Sequence, residues 1–145
     1  MSEYPRRILL VEDDPGNVRL AQEAFKESAA PPLLDVVDNG EDAMAFLRGQ
    51  GRYGDAVRPD LILLDLNLPK KNGHEVLVEI KSDTRLRCIP VIILTTSSNE
   101  QDVIHTYNNS GNCYITKPAD LDDFMRVIGM IERFWLSLVT LPPRK

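Results

Sequence analysis

Leu61-Ile62-Leu63-Leu64-Asp65-Leu66-Asn67-Leu68-Pro69 is an unbroken apolar β-type run that delivers one carboxylate to its C-terminal tip. Four apolar residues in succession, without polar alternation, describe a strand covered on both faces, as in the interior of a parallel sheet. A lone charge at such a tip is costly unless something compensates it. The compensation is legible elsewhere. Ile8-Leu9-Leu10-Val11 ends in Glu12 and Asp13, and Cys113-Tyr114-Ile115-Thr116 ends in Lys117. Strand tips carrying acids and one amine together suit a divalent, oxygen-ligated cation and a phosphoryl group better than they suit a packed core.

Apolar β-rich runs alternate with segments of helical period along the whole chain. The pattern predicts strand 7–12, helix 15–28, strand 33–38, helix 40–50, strand 60–65, helix 73–82, strand 90–95, helix 99–109, strand 112–116 and helix 119–139. βα units in series with short connections imply an α/β fold, a doubly wound five-stranded parallel sheet with helices on both faces. Asp14-Pro15 reads as an N-cap followed by proline in the first helical turn, and Asn39-Gly40 and Asn72-Gly73 read as turns into the second and third helices. The stretch 49–59 is the longest loop, and a mobile one is expected. It contains the literal pattern Gly49-Gln50-Gly51-Arg52-Tyr53-Gly54, but a dinucleotide fingerprint must leave a strand and open a helix, whereas this one follows a helix.

The chain has 145 residues, enough for one domain with a real core. Its 22 acidic and 17 basic side chains give a net charge of −5, which argues against a nucleic-acid footprint. No apolar stretch approaches a membrane span or a signal-peptide core. Cys88 and Cys113 lack metal or redox spacing and fit a reducing, cytoplasmic setting. His74 and His105 stand isolated in the sequence and suggest no site.

In an open parallel sheet, ligands sit beyond the carboxyl ends of the strands, where the strand order reverses. Glu12, Asp13, Asp65, Thr95, Thr96 and Lys117 all fall at such ends. Val11-Glu12-Asp13-Asp14, Leu64-Asp65-Leu66-Asn67-Leu68-Pro69, Leu94-Thr95-Thr96 and Tyr114-Ile115-Thr116-Lys117-Pro118 together resemble the response-regulator receiver domain, similar to CheY, over about residues 6–130. The resemblance implies the flavodoxin-like strand order 2-1-3-4-5. A single receiver domain over 1–145 is expected, with 131–145 as a helix extension and tail and with no output domain.

The same resemblance implies roles. Asp65 is the phosphoacceptor, taking its phosphoryl group from a histidine on a partner kinase. Asp13, Asp65 and the backbone carbonyl of Asn67 ligate Mg²⁺, and Glu12 holds a coordinated water. Lys117 pairs with Asp65 and then with a phosphoryl oxygen. Thr95 and Tyr114 form the switch, and the Lys117–Pro118 peptide bond is cis. Asn67 and Ser97, each two residues beyond a site residue, govern how easily water reaches the phosphorus. Thr96, where receivers often have alanine, and Asn72, where aspartate is frequent, depart from the pattern without removing a required group.

The last helix carries more than one apolar stripe. Phe124, Ile131, Phe134, Trp135 and Leu138 belong to a set covering well over half its circumference, so one face packs on the sheet and a second is left over. The expectation is a homodimer through Phe124, Ile131, Phe134, Trp135 and Leu138; the alternative is a tail folded back on its own domain. This helix, the roomy loop before strand three and Asn67-Leu68-Pro69-Lys70-Lys71 resemble stand-alone response regulators that serve phytochrome-type histidine kinases. The expected partners are therefore such a sensor kinase and a second copy, with no nucleic acid and no membrane. The chain reads as a phosphoacceptor that assists its own Mg²⁺-dependent phosphorylation and dephosphorylation, not as a turnover enzyme. Two other classes compete. An aspartyl-phosphate phosphatase wants a second acid two residues after the nucleophile, where Asn67 stands, and a phosphorylation-independent scaffold has no reason to keep like charges together.

Overall fold

The computed structural model describes residues 5–143; residues 1–4, and Arg144 and Lys145 of the expected tail, lie outside the described residues. The strands are β1 (Arg7–Val11), β2 (Leu33–Val37), β3 (Leu61–Leu64), β4 (Val91–Thr95) and β5 (Cys113–Thr116). They form one parallel sheet in the order β2-β1-β3-β4-β5. The helices are α1 (Pro15–Lys26), α2 (Gly40–Arg48), α3 (Gly73–Ser82), α4 (Glu100–Asn108) and α5 (Leu121–Ile131).

Strand side chains alternate between two cores, which explains why β1, β3 and β4 are apolar at nearly every position. Leu9, Val11, Ile62, Leu64, Val91 and Ile93 pack with Met44, Phe46, Val76, Leu77 and Ile80 of α2 and α3. Ile8, Leu10, Leu61, Leu63, Ile92 and Leu94 face the other way, onto Ala21 and Phe25 of α1 and Phe124, Ile128 and Ile131 of α5. Helix starts follow from local chemistry. Asp14 caps α1 by accepting from Gly16 N at 2.8 Å, Asn39 caps α2, and Asn72 with Glu75 forms a reciprocal capping box on α3. Helix α2 ends two residues earlier than expected because Gly49 takes a left-handed conformation, with φ 63°. That position also disposes of the glycine pattern as a phosphate loop: its first glycine terminates a helix. The loop that follows is anchored by an Arg52–Asp42 ion pair at 2.9 Å and by Tyr53 set edge-on to Phe46.

The C-terminal segment departs from the expectation of one helix over 119–139. Asp120 caps the helix, so α5 begins at Leu121, and after Ile131 the chain widens into a π-helical segment, Glu132–Leu138, closed by Val139 N–H donating to Phe134 O at 2.9 Å. Phe124 and Ile131 are buried in the chain's own core, which removes both from the expected dimer interface: they are the face that packs on the sheet. Trp135 is half-buried against the same core, whereas Phe134 and Leu138 are 50% and 74% exposed. The tail does fold back. Leu141 is only 7% exposed, and Pro142 and Pro143 share a small cleft with Arg58, Pro59, Asp60, Ile89 and Pro90 at the N-terminal ends of β3 and β4.

Candidate functional site

Strands β1, β3 and β5 bring Glu12, Asp65 and Lys117 together at their carboxyl ends. Register is fixed by main-chain bonds at the tips: Glu12 N–H donates to Val37 O at 3.0 Å, Asp65 N–H to Val11 O at 3.1 Å, and Lys117 N–H to Thr95 O at 2.7 Å. Because these bonds continue the sheet's ladder by one residue, each functional side chain projects from a rigid strand end and not from a free loop.

The Asp65 side chain is nearly enclosed. Its Oδ2 accepts from Lys117 Nζ at 2.9 Å and its Oδ1 from Asn67 N–H at 3.2 Å. Lys117 Nζ also donates to Glu12 Oε1, and Glu12 Oε2 accepts from Asp14 N–H at 3.3 Å. Thr95 is fully buried, and its Oγ1 accepts from Ser97 N–H at 3.5 Å. Asp13 stands exposed at the mouth, and one oxygen from each of Glu12, Asp13 and Asp65 lies within 4.8 Å of the others. Across β4 and β5, the Tyr114 hydroxyl donates to Ser97 O at 2.8 Å.

A single ammonium cannot satisfy two buried acids equally. Burial works to raise the Asp65 carboxyl, but the hydrogen bond and charge of Lys117, aided by Asn67 N–H and Thr95, hold it below its ordinary value. Burial wins at Glu12, pushing its carboxyl from 4.5 to about 7 against the pull of Lys117. Lys117 is itself raised: burial favours the neutral amine, and the bonds to Glu12 and Asp65 overcome it. The site is therefore an electrostatically loaded cluster of hard oxygen donors: with its three carboxylates ionised against one ammonium, it is short of two positive charges. A divalent cation at the Glu12, Asp13 and Asp65 oxygens fits that deficit.

Glycine at position 73 places helix α3 against the acceptor strand. A Cβ there would stand 2.2 Å from Asp65 O and 2.6 Å from Leu66 Cα, while Gly73 N–H donates to Leu66 O at 2.9 Å. The sequence marks Asn72-Gly73 as a turn, but the close seat of Gly73 on the Asp65–Leu66 backbone has no signature in the turn itself. The Lys117–Pro118 bond, expected to be cis, is trans, since no cis peptide bond occurs among the described residues. Lys117 reaches both carboxylates from a trans backbone, the form that X–Pro bonds favour by about 0.5–1 kcal/mol. His74 and His105, isolated in sequence, are brought ring to ring with centroids 4.1 Å apart, and His74 Nε2 lies 2.8 Å from Asp102 Oδ1.

Residues 8–129 match the response regulator receiver domain family. The chain belongs to that family. It is 52% identical over 141 residues to response regulator Rcp1 of Synechocystis sp., covering 97% of this chain and 96% of that one. Among solved structures it is similar to the phosphorylated cyanobacterial phytochrome response regulator RcpA, with 53% identity, TM-score 0.94 and coverage of 97% and 100% of the two chains. The Mn²⁺-bound form of Rcp1 follows at 52% identity and TM-score 0.93, covering 96% of this chain and 100% of that one. This receiver is thus a signalling protein related to phytochrome response regulators. No helix among the described residues is long and apolar enough to cross a membrane.

Proposed function

We propose that this receiver accepts a phosphoryl group on Asp65 from a phytochrome-type sensor histidine kinase, in the cytoplasm, and signals by the conformational change that follows. The observation that carries the reading is the Asp65 carboxylate bonded to Lys117 beside an oxygen cluster suited to a divalent ion. Mg²⁺ is the resident ion in this reading, held by Asp13, Asp65 and the Asn67 carbonyl, with Glu12 holding a coordinated water. Its chemistry is to neutralise the acids and the charge on phosphoryl oxygens. Asp65, kept ionised by Lys117, supplies the nucleophilic oxygen, while Lys117 and Thr95 hold phosphoryl oxygens afterwards. Kinship to RcpA, solved in its phosphorylated form, and to Rcp1, solved with Mn²⁺ bound, supports this assignment. Thr95 and Tyr114 form the switch, and both already engage Ser97: Thr95 Oγ1 accepts from its N–H and the Tyr114 hydroxyl donates to its carbonyl.

Phe134 and Leu138, exposed on the final segment, support a homodimer, with the half-buried Trp135 at the edge of the contact. Leaving such side chains in water forfeits about 1.5–3 kcal/mol each relative to burial. Transfer of label from a histidine-phosphorylated phytochrome-type kinase to this chain, lost in Asp65→Asn, tests the acceptor. Sedimentation of Phe134→Ala/Leu138→Ala against the unsubstituted chain tests the dimer: the expected result is a dimer that the double substitution dissociates. A monomer in both removes the dimer from the reading.

A further inference from the structure

The main chain of Asn67 touches the acceptor directly: its N–H donates to Asp65 Oδ1 at 3.2 Å, and in the proposed metal site its carbonyl ligates the ion. That residue is bracketed by two carbonyls, each of which takes two N–H groups. Leu66 O accepts from Leu68 N–H at 3.2 Å and from Gly73 N–H at 2.9 Å, and Pro69 O accepts from Lys71 N–H at 2.8 Å and from Gly40 N–H at 3.4 Å. The Lys71–Pro69 bond closes a three-residue turn, and Lys70 at its centre has φ 69°. This is the rarer, strained hand of γ-turn, which a residue with a Cβ adopts at a cost. The Lys70 side chain does not account for that cost: it is exposed, and its ammonium has no partner among the described residues. What holds the turn is α2. Gly40, its first residue, lies so close to the loop that a Cβ there would stand 1.9 Å from Lys71 O and 2.8 Å from Lys71 Cβ. Leu66 and Leu68 share a core with Ala43, Met44 and Phe46 of the same helix. Lys71 is tied to Glu79, which also pairs with Arg48 at the far end of α2 at 3.3 Å. A strained φ persists where its surroundings over-determine it, and these contacts do so.

We propose that the left-handed turn at Lys70, held by Gly40 of α2, is the positioning device that fixes the Asn67 main chain and so sets the affinity of the site for its divalent ion. Lys70 acts through its backbone, and its side chain is dispensable. The inference rests on the reading of Asp13, Asp65 and the Asn67 carbonyl as the ion's ligands. Only Asn67 and Leu68 lie between the two doubly bonded carbonyls. A turn that relaxes to negative φ at Lys70 therefore swings Pro69 away from Gly40 and carries the Asn67 peptide with it. A ligand that must be re-oriented when the ion arrives costs affinity, whereas one already fixed does not.

The test uses the full chain and Mn²⁺ alone, with the free ion measured by its electron paramagnetic resonance signal. Lys70→Gly enters the left-handed region freely and Lys70→Val resists it, while both remove the same ammonium. Lys70→Gly is expected to bind Mn²⁺ within about twofold of the unsubstituted chain, and Lys70→Val about tenfold more weakly, the scale of loss when a group that orients a ligand is removed. Gly40→Ala, which forces helix and loop apart, is expected to weaken binding in the same direction; the Lys70 pair, at an exposed position, decides the outcome even where Gly40→Ala fails to fold. Urea unfolding of the same variants without metal separates stability from affinity. A merely structural turn makes Lys70→Val less stable and leaves the Mn²⁺ affinity of its folded form unchanged. Equal affinities for the Gly and Val variants, both unchanged or both weakened, overturn the proposal. An unsubstituted chain that binds no Mn²⁺, or one whose affinity survives Asp13→Asn, overturns the reading of the metal site itself, and this proposal with it.

Discussion

Replacing Glu12 by glutamine should stabilise the metal-free fold, and only above a definite pH. Burial moves the Glu12 carboxyl from 4.5 to about 7 despite Lys117. Between those two values the folded chain holds a proton that the unfolded chain has released, so stability falls as pH rises across the interval. At 1.36 kcal/mol per pH unit, the interval corresponds to about 3 kcal/mol. Asp65 has the opposite sign: its carboxyl is lowered, so its contribution is present above its unfolded value of 3.8 and is lost only as pH falls below that. The two windows do not overlap. Urea unfolding in a chelator, at about pH 4.5 and about pH 8, should give coincident stabilities for Glu12→Gln and the unsubstituted chain at the lower pH, and an advantage of up to about 3 kcal/mol for the variant at the higher. Adding Mg²⁺ at the higher pH should narrow the gap, because an ion that binds only the folded state stabilises it by mass action and binds better with Glu12 present. A gap equal at both pH values refutes the argument, because a difference that ignores pH does not come from ionisation.

Other outcomes follow from packing and coordination. Gly73→Ala drives a Cβ to 2.2 Å from Asp65 O, so the start of α3 or the acceptor strand must shift; about 1–3 kcal/mol of stability should be lost in urea unfolding, together with slower adduct formation. Leu141→Ala should cost about 2 kcal/mol by removing the buried anchor of the tail, and unfolding midpoints check it. Chelation should abolish adduct formation from a small phosphodonor, and either Mg²⁺ or Mn²⁺ should restore it, since the oxygen donor set accepts both.

The fold is largely legible in the sequence because its signals are local or strictly periodic. Leu61 to Leu64 and Val91 to Leu94 read as doubly buried strands, and Asp14, Asn39 and Asn72 read as caps, from composition over a few residues. The meeting of Glu12, Asp65 and Lys117 is legible for a topological reason: in an open parallel sheet all strand ends of one sense lie on one edge. What escapes are contacts between elements. The π-helical turn at Glu132–Leu138 differs from an α-helix by less than a residue per turn, too little for apolar spacing over one short segment to separate. Phe124 and Ile131 read as partner-facing in the sequence because a helix apolar on most of its surface does not declare which stripe faces the sheet. His74, Asp102 and His105 sit on two helices whose docking angle no local pattern encodes, so their association emerges only in three dimensions.

The most direct test of the central claim is mass spectrometry of the intact chain after incubation with Mg²⁺ and acetyl phosphate, with the modified residue mapped by peptide fragmentation. One phosphoryl group, stable in acid, labile in base, located on Asp65 and absent from Asp65→Asn, is the predicted result. No adduct, an adduct on another residue, or one that persists in Asp65→Asn would contradict the account.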